Sequence, residues 1–145
     1  MKAPVLRWVE HGGPEHAALV ELRREVLRKP LGLEYTERQL ADEAGQLHLG
    51  AFDGERAVGC LLLKEKGGGE VQMRQVAVSP AAQRRGVGRL LVEESEKEAR
   101  RRGWRRMILH ARLTAVAFYE RLGYEIEGEP FQEIGLPHRL MAKML

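Results

Sequence analysis

The sequence predicts a single domain of the α/β (α+β) class over residues 1–145, in which a mixed sheet carries helices on its faces. A chain of 145 residues has the length of one ordinary domain and is short for two. Three strand-like segments in the middle of the chain are separated by "DGE" and "GGG", so tight turns should make them antiparallel neighbours. Strand-like and helix-like segments alternate after them, which favours a layered sandwich.

The first half of the chain begins with a strand at residues 5–10 and a helix that starts at Pro14 and stops before Pro30. Proline suits a first helical turn, and the residue before a proline disfavours helix. Thr36 and Gln39 have capping-box spacing, which predicts a second short helix over "TERQLADEA". The three central strands are then "QLHLGAFD", "RAVGCLLLKEK" and "EVQMRQVAV".

The third central strand changes phase in its middle. Its apolar residues alternate at 71 and 73 and again at 76 and 78, so the period of two slips around Arg74 and Gln75. A β-bulge absorbs one such extra residue, and bulges are common beside active sites. A strand buried on both faces also needs no clean alternation, so both interpretations stay open at this point.

The second half predicts a helix that runs to about Arg102 and ends at Gly103, followed by a strand, a short helix and two closing strands. The segments are "WRRMILHAR", "TAVAFYERLG", "YEIEG" and "HRLMAKML", with a less regular "EPFQEI" and a loop containing "LP" between the last two. The long helix carries opposite charges at i,i+4, which indicates a solvated face rather than a nucleic-acid patch. The pairs are Glu93 with Lys97, Glu96 with Arg100, and Glu98 with Arg102.

Composition excludes several classes of protein. Apolar residues make up 43% and charged residues 31%, and no apolar run approaches the ~20 residues that cross a bilayer. The N-terminal segment lacks the features of a secretory signal, so we expect a cytoplasmic protein without a membrane partner. The single cysteine, Cys60, excludes an internal disulfide and should be a packed core thiol. The histidines show no metal-ligand spacing, and no metal site is predicted.

The stretch "QRRGVGRLL" joins a strand to a helix through two glycines. The first N–H groups of a helix are unpaired, and with the helix dipole they favour an anion. Glycines there allow a positive φ or a close backbone approach, and the neighbouring arginines suit phosphate geometry. A net charge of +3 also favours anionic ligands. The stretch lacks the P-loop and Rossmann patterns, so it predicts a pyrophosphate site of another kind, or else only a tight turn.

Two motifs together resemble the GNAT superfamily of acyl-CoA-dependent N-acetyltransferases. "VAVSPAAQRRGVGRLL" is similar to motif A of that superfamily, with Gln83, Gly86 and Gly88 at its defining positions. "AVAFYERLGY" is similar to its second signature, and the order of elements matches over essentially the whole chain. The resemblance implies a mostly antiparallel sheet of six or seven strands flanked by about four helices, and within the superfamily a group of small bacterial members of mostly unassigned substrate.

The resemblance also implies how acetyl-CoA binds. Its pantetheine arm would pair with the β-strand before the glycine joint, and its pyrophosphate would lie on the amides of the joint itself. The second signature usually has an asparagine where Arg112 stands, so Arg112 is assigned to the cofactor in its place, with an acidic substrate as the other option. The cofactor-binding set is therefore Val76, Ala77, Val78, Gln83, Arg84, Arg85, Gly86, Val87, Gly88, Arg89 and Arg112.

For catalysis, the resemblance implies direct attack of a primary amine on acetyl-CoA in a ternary complex. Tyr119 matches the residue that protonates the leaving thiolate, as a phenol with a reference pKa of about 10 can do. The position of the usual glutamate base holds Gln72, so we select His138 as the catalytic base candidate. His110, Glu70, Glu34, Tyr35 and a water chain remain alternatives.

The sequence does not identify the acceptor. Loops at 30–35 and 131–138 should form its pocket, since loops carry specificity while the sheet holds the cofactor. A non-catalytic acyl-CoA-binding module is the alternative function, and look-alikes make a homodimer one option.

Overall fold

Seven strands form one sheet in the computed structural model, which describes residues 3–145. Along the sheet the strands lie in the order β1-β2-β3-β4-β5-β7-β6, and every neighbouring pair is antiparallel except β4 with β5. The predicted mixed, mostly antiparallel sheet is confirmed. The strands are β1 Val5–Val9, β2 Leu47–Asp53, β3 Arg56–Gly67, β4 Glu70–Val78, β5 Arg106–Arg112, β6 Glu125–Glu133 and β7 Leu136–Met144.

The helices are α1 Pro14–Arg23, α2 Glu37–Ala41, α3 Val87–Arg101 and α4 Val116–Arg121. The capping box predicted for α2 is confirmed, because the Thr36 and Gln39 side chains each bond to the other's backbone N–H. No helix within residues 3–145 is long and apolar enough to cross a membrane.

The segment from Pro14 to the residue before Pro30, predicted as one helix, is not a continuous α-helix. Its α-helical part ends at Arg23, a π turn follows over Arg24–Arg28, and a 3-10 turn covers Lys29–Leu31. Pro30 has no N–H to donate to the carbonyl four residues before it, so regular α-helical bonding cannot pass this point. The chain instead forms the tighter 3-10 turn, which the Gly32 N–H closes by donating to the Lys29 carbonyl at 3.0 Å.

Helices cover both faces of the sheet. Successive strand residues point to opposite faces, and Cys60 and Leu61 of β3 enter two different hydrophobic clusters. Cys60 packs with Leu19 of α1, whereas Leu61 packs in the cluster that includes Leu91 of α3. Cys60 is buried, as predicted, and burial raises the pKa of its thiol to about 12.

Of the two interpretations of the phase slip in β4, the structure shows the β-bulge. Cys60 pairs with Ala77 and Leu62 with Arg74, so two residues of β4 face one of β3. The parallel ladder between β4 and β5 ends at Met73 and Leu109, and the two strands diverge beyond this point. The bulge therefore lies where the sheet opens.

The C-terminal hairpin differs from the prediction. β6 runs on through "EPFQE" to Glu133, and the turn consists of Ile134 and Gly135, both with positive φ (47° and 77°), as a tight hairpin turn requires. The predicted loop around "LP" is thus part of β7, where Leu136 pairs with Glu133. A bulge between Glu127 and Phe131 interrupts the alternation of side chains along β6, so the sequence does not show β6 as one continuous strand.

The charged face of α3 also differs from the prediction. Glu98 does pair with Arg102 at 2.8 Å, but Glu93 pairs with Arg89 instead of Lys97. Glu96 is 5% exposed and accepts hydrogen bonds from the Tyr124 hydroxyl at 2.8 Å and the Lys143 ammonium at 3.1 Å. This buried carboxylate joins α3 to the closing strands instead of facing solvent.

Candidate active site

A cleft of about 480 Å³ opens where β4 and β5 diverge. Tyr119 of α4 lines it from one face of the sheet, and Leu27 and Arg28 of the π turn line it from the other. The cleft therefore passes through the sheet and connects its two faces. It contains most of the strand and catalytic candidates from the sequence, including Val76, Ala77, Val78, Gln83, Arg112, Tyr119 and His138.

The glycine joint at the end of β4 has the geometry of an anion site. Gly86 caps α3 with φ 78°, in the left-handed region that favours glycine, and Arg84 also has a positive φ of 68°. Within residues 3–145, the amides of Arg84 and of residues 86–89 donate to no backbone carbonyl. The Arg84, Arg85 and Arg89 side chains are exposed around these amides. Free N–H groups at the start of a 15-residue helix, with cations beside them, fit a pyrophosphate.

Glycine is needed at the two positions of the joint for different structural reasons. A Cβ at Gly86 would meet no atom within 4 Å, so only its positive φ calls for glycine. A Cβ at Gly88 would lie 3.2 Å from the Phe118 ring, so Gly88 permits close packing of α3 on α4. The sequence motif alone does not separate these two roles.

The edge of β4 that faces the cleft has free backbone groups. Ser79 donates to the Val58 carbonyl and Ala77 pairs with Cys60, so the backbone groups of Ala77 face β3. Since alternate residues direct these groups to opposite sides of a strand, those of Val76 and Val78 face the cleft. The Gln83 amide donates to the Val78 carbonyl at 3.1 Å and so fixes the end of the strand against the joint.

Tyr119 lies nearly buried at the floor of the cleft, 6% exposed. The rings of Phe118 and Tyr124 contact it edge to face, with centroids 5.0 Å and 5.9 Å away. Its hydroxyl forms no hydrogen bond with any group of residues 3–145, and burial raises its pKa above the usual value of 10. Tyr119 therefore keeps its proton through the neutral and mildly alkaline range.

Two histidines of the cleft share one carboxylate. Glu133 of β6 lies 3.0 Å from His110 Nδ1 and 3.5 Å from His138 Nε2. The sequence does not show this contact, because β7 lies between β5 and β6 in the sheet. His138 is 3% exposed, and its Nδ1 bonds to the Leu136 carbonyl at 2.9 Å, whereas the His110 side chain is 35% exposed.

Arg112 ends β5 and extends toward the π turn. Its Nη2 donates to the Leu27 carbonyl at 3.0 Å, a contact between residues 85 positions apart. Arg28 also approaches this carbonyl, with Nη1 at 3.4 Å. The Arg112 guanidinium is thus held on the α1 side of the sheet, whereas the glycine joint begins α3 on the opposite side.

The remaining base candidates have other partners. Gln72 lines the cleft but cannot take a proton. Glu70 pairs with Arg106 at the closed end of the β4–β5 ladder, and Glu34 is an exposed partner of Arg24. The Tyr35 hydroxyl donates to the Gln75 amide oxygen at 2.6 Å. Of the two segments predicted for the acceptor pocket, 30–35 does not line the cleft, where residues 26–28 lie instead, and 133, 134 and 138 of the segment 131–138 do line it.

Comparison with known proteins assigns the family. Residues 15–145 match the family described as "Acetyltransferase (GNAT) domain". The chain belongs to the GNAT acetyltransferase family. It is 31% identical over 123 residues to the Bacillus subtilis protein "Uncharacterized N-acetyltransferase YjcF", a match that covers 84% of this chain and 87% of that protein. The match to Bacillus subtilis YyaT is 30% identical and spans 52% of this chain and about half, 51%, of that relative.

Solved structures of GNAT proteins share the fold. An acyl-CoA N-acyltransferase from Pseudomonas aeruginosa superposes with a TM-score of 0.84 at 26% identity, covering 97% of this chain and 99% of that one. An N-acetyltransferase from Thermoplasma acidophilum, solved in complex with coenzyme A, gives 0.75 at 17% identity over 99% of both chains. The family and the Bacillus subtilis relative YjcF support acetyl transfer in general as the activity of the GNAT domain.

Proposed function

We propose that this GNAT protein transfers an acetyl group from acetyl-CoA to a primary amine by direct attack within a ternary complex. The observation that carries the proposal is the succession of three features: the edge of β4 and Tyr119, which line the cleft at the β4–β5 opening, and the free amides of the glycine joint, which follow directly after Gln83 at the cleft's end. Acetyl-CoA would supply an activated thioester there. Binding both reactants in one cleft accounts for a large share of the rate.

The residues that would hold acetyl-CoA lie on two neighbouring elements. The amides of Arg84 and of residues 86–89 would bind the pyrophosphate, with Arg84, Arg85 and Arg89 adding charge. Val76 and the Val78 N–H would pair with the pantetheine arm as a further strand would, while Gln83, bonded to the Val78 carbonyl, would hold these two segments together. Ala77 contributes by pairing with β3, and Gly88, besides its amide, allows α3 to pack closely on α4.

We assign the proton transfers to opposite faces of the cleft. Tyr119, protonated at neutral pH because its pKa is raised by burial, would donate to the leaving thiolate. The sequence selects His138 as the base, but its Nδ1 is engaged by a backbone carbonyl and its ring is buried. We propose that the more exposed His110 accepts the amine proton, with Glu133 orienting it. Cytoplasmic location and a homodimer stay predictions.

The test is calorimetric titration of acetyl-CoA into three proteins: the native chain, Gly86→Val, and Gly103→Val. Both glycines have a positive φ, 78° and 80°, and neither would bring a Cβ within 4 Å of another atom. Gly103 lies beyond the other end of α3, so its substitution reproduces the backbone strain away from the joint.

We expect the native chain and Gly103→Val to bind acetyl-CoA and Gly86→Val to bind at least 10-fold more weakly. Amine-dependent thiol release by the native chain would then support catalysis, and binding without release from any amine would indicate an acyl-CoA-binding module. Absence of acetyl-CoA binding by a folded native chain would overturn the proposed function.

A further inference from the structure

Two guanidinium groups converge on one carbonyl in the cleft. Arg112 Nη2 lies 3.0 Å and Arg28 Nη1 3.4 Å from the Leu27 oxygen. This carbonyl is available because Pro30, two residues beyond the end of the π turn, has no N–H, and the Gly32 and Leu33 N–H groups bond to Lys29 and Arg28. The break in the helix thus brings two like charges to the acceptor side of the cleft.

Neither guanidinium has a carboxylate partner. Among residues 3–145, no carboxylate oxygen lies within 4.0 Å of Arg28 or Arg112, although both side chains are half-buried. The acid of the cleft, Glu133, is engaged by His110 and His138. Arg74, a third cation of the cleft wall, differs because it has Glu43 at 3.8 Å. The acceptor side therefore has excess positive charge.

Each guanidinium still has donors to spare. An arginine carries five N–H donors, and these two use only one each within the protein. The Arg28 guanidinium is also fixed over the ring of Tyr35, 4.7 Å from its centroid. Burial and then the charge of Arg28 lower the pKa of Arg112, so the two charges repel each other as they stand. An anion between them would remove this repulsion and use the spare donors.

We propose that Arg28 and Arg112 bind the carboxylate of the acceptor, so that the acceptor is an amino-acid-like molecule carrying both a primary amine and a carboxylate. Two planar guanidinium groups match a carboxylate in geometry as well as in charge. The inference rests on the proposed function, since it names the substrate class of the same cleft. Arg112 thereby moves from the predicted cofactor set to the acceptor set.

A phosphate of the cofactor is the rival ligand, and the structure favours the carboxylate. The glycine joint and its arginines already form a complete anion site at the start of α3. Arg28 lies in the π turn that follows α1 and Arg112 lies against it, on the opposite face of the sheet, and both line the cleft together with His110 and Glu133. An anchor there would place a substrate amine near the proposed base.

The experiment measures binding, so that it needs no turnover. The protein saturated with coenzyme A is titrated with a panel of N-acetyl-amino acids, which carry the carboxylate that the product would have, and with the matching N-acetyl-amino acid amides. The variants are Arg28→Gln, Arg112→Gln and the double substitution, because glutamine removes the positive charge and keeps a polar side chain. Arg7→Gln is the control, since Arg7 is an exposed arginine of β1 that pairs with Glu15.

We expect at least one N-acetyl-amino acid to bind the native complex at least 10-fold more tightly than its amide. Each substitution should lower that affinity roughly 10- to 100-fold, as expected for lost hydrogen bonds to a charged group, and Arg7→Gln should leave it unchanged. Affinity for coenzyme A should not change in any variant.

Three results would overturn the inference: no binding of any carboxylate up to about 10 mM, equal binding of acids and amides, or loss of coenzyme A affinity in the arginine variants. Each is separable from failure of the proposed function, because coenzyme A binding and thiol release by the native chain are measured in the same preparations.

Discussion

Tyr119 and Tyr124 are neighbouring buried tyrosines with different roles. Their ring centroids lie 5.9 Å apart, and burial raises the pKa of both. The Tyr124 hydroxyl donates to buried Glu96, whereas the Tyr119 hydroxyl has no partner within residues 3–145 and lines the cleft. A hydroxyl with a buried acceptor serves stability, and one left free in a cleft is available for chemistry.

We therefore expect Tyr119→Phe to lower kcat about 100-fold, as loss of a general acid does, while acetyl-CoA affinity stays within a factor of two. Tyr124→Phe is the matched control. It should leave kcat nearly unchanged and lower the free energy of unfolding by about 1–3 kcal/mol, because Glu96 would lose one of its partners. Steady-state kinetics and urea unfolding of both variants check this, and equal loss of kcat in the two would refute the acid role of Tyr119.

The histidine pair offers a second test with single residues. His110→Gln should lower kcat/KM about 100-fold near neutral pH, because the proton acceptor is gone. His138→Gln should lower kcat/KM less than 10-fold, since Glu133 can still orient His110. The measurement is kcat/KM from thiol release by both variants. The opposite order of effects would restore His138, the residue chosen from the sequence, as the base.

For single residues, the sequence predicts which side chains line the cleft better than it predicts which groups those side chains contact. Tyr119 and Arg112 line the cleft, as their positions in the second signature predict, and so does His138, chosen as the first residue of the predicted last strand. The contacts of Glu133 with His110 and of Arg112 with Leu27 depend on strand order and on the course of the chain after α1, which no local pattern encodes.

Among the elements, the bulge of β4 has the most direct link to function. Gln75 has a φ of 54°, which is unfavourable for a residue with a side chain, and two contacts hold it there. The Tyr35 hydroxyl donates to its amide oxygen at 2.6 Å, and the Cys60 thiol donates to its carbonyl at 3.6 Å. The bulge in turn sets how β4 leaves β5.

We expect Tyr35→Phe to raise the KM for acetyl-CoA several-fold, because the opening between β4 and β5 would lose a support. The lost hydrogen bond should also cost about 1 kcal/mol of stability. Thr36→Ala is the control, since loss of the helix cap costs a similar ~1 kcal/mol without touching the bulge. Kinetics at varied acetyl-CoA, together with unfolding curves, separate the two. A rise in KM of the same size in Thr36→Ala would show that general destabilisation is the cause.

Elements that a short sequence pattern marks could be predicted from the sequence. The capping box of α2, the glycine turns between central strands and the phase slip in β4 all correspond to observed features. The closing hairpin could not be predicted, because the bulge between Glu127 and Phe131 breaks its alternation and its turn has Ile134 at a positive φ. The buried position of Glu96 likewise depends on Lys143, which lies 47 residues away.

At the scale of the whole molecule, three histidines connect elements that are distant in the chain. His11 follows β1, His16 lies in α1 and His48 in β2, with ring centroids 4.4–5.5 Å apart. The Gly12 N–H donates to His16 Nδ1 at 3.1 Å, so the neutral ring carries its proton on Nε2, which is buried without a partner. Protonation of Nδ1 would break the bond to Gly12 and place a charge near Arg23 and the other two rings.

Burial, with smaller contributions from His48, His11 and Arg23, lowers the pKa of His16 to about 4, against an ordinary value of 6.5. Between those values the unfolded chain takes up a proton that the folded protein excludes, so this stabilisation is present above pH 6.5 and is lost as the pH falls toward 4. We expect the free energy of unfolding to fall by on the order of 1 kcal/mol per pH unit in this window. His16→Gln should flatten that dependence, while His110→Gln, at an exposed position, should keep it. Urea unfolding at half-unit pH steps measures the slopes, and an unchanged slope in His16→Gln would assign the acid sensitivity to other groups.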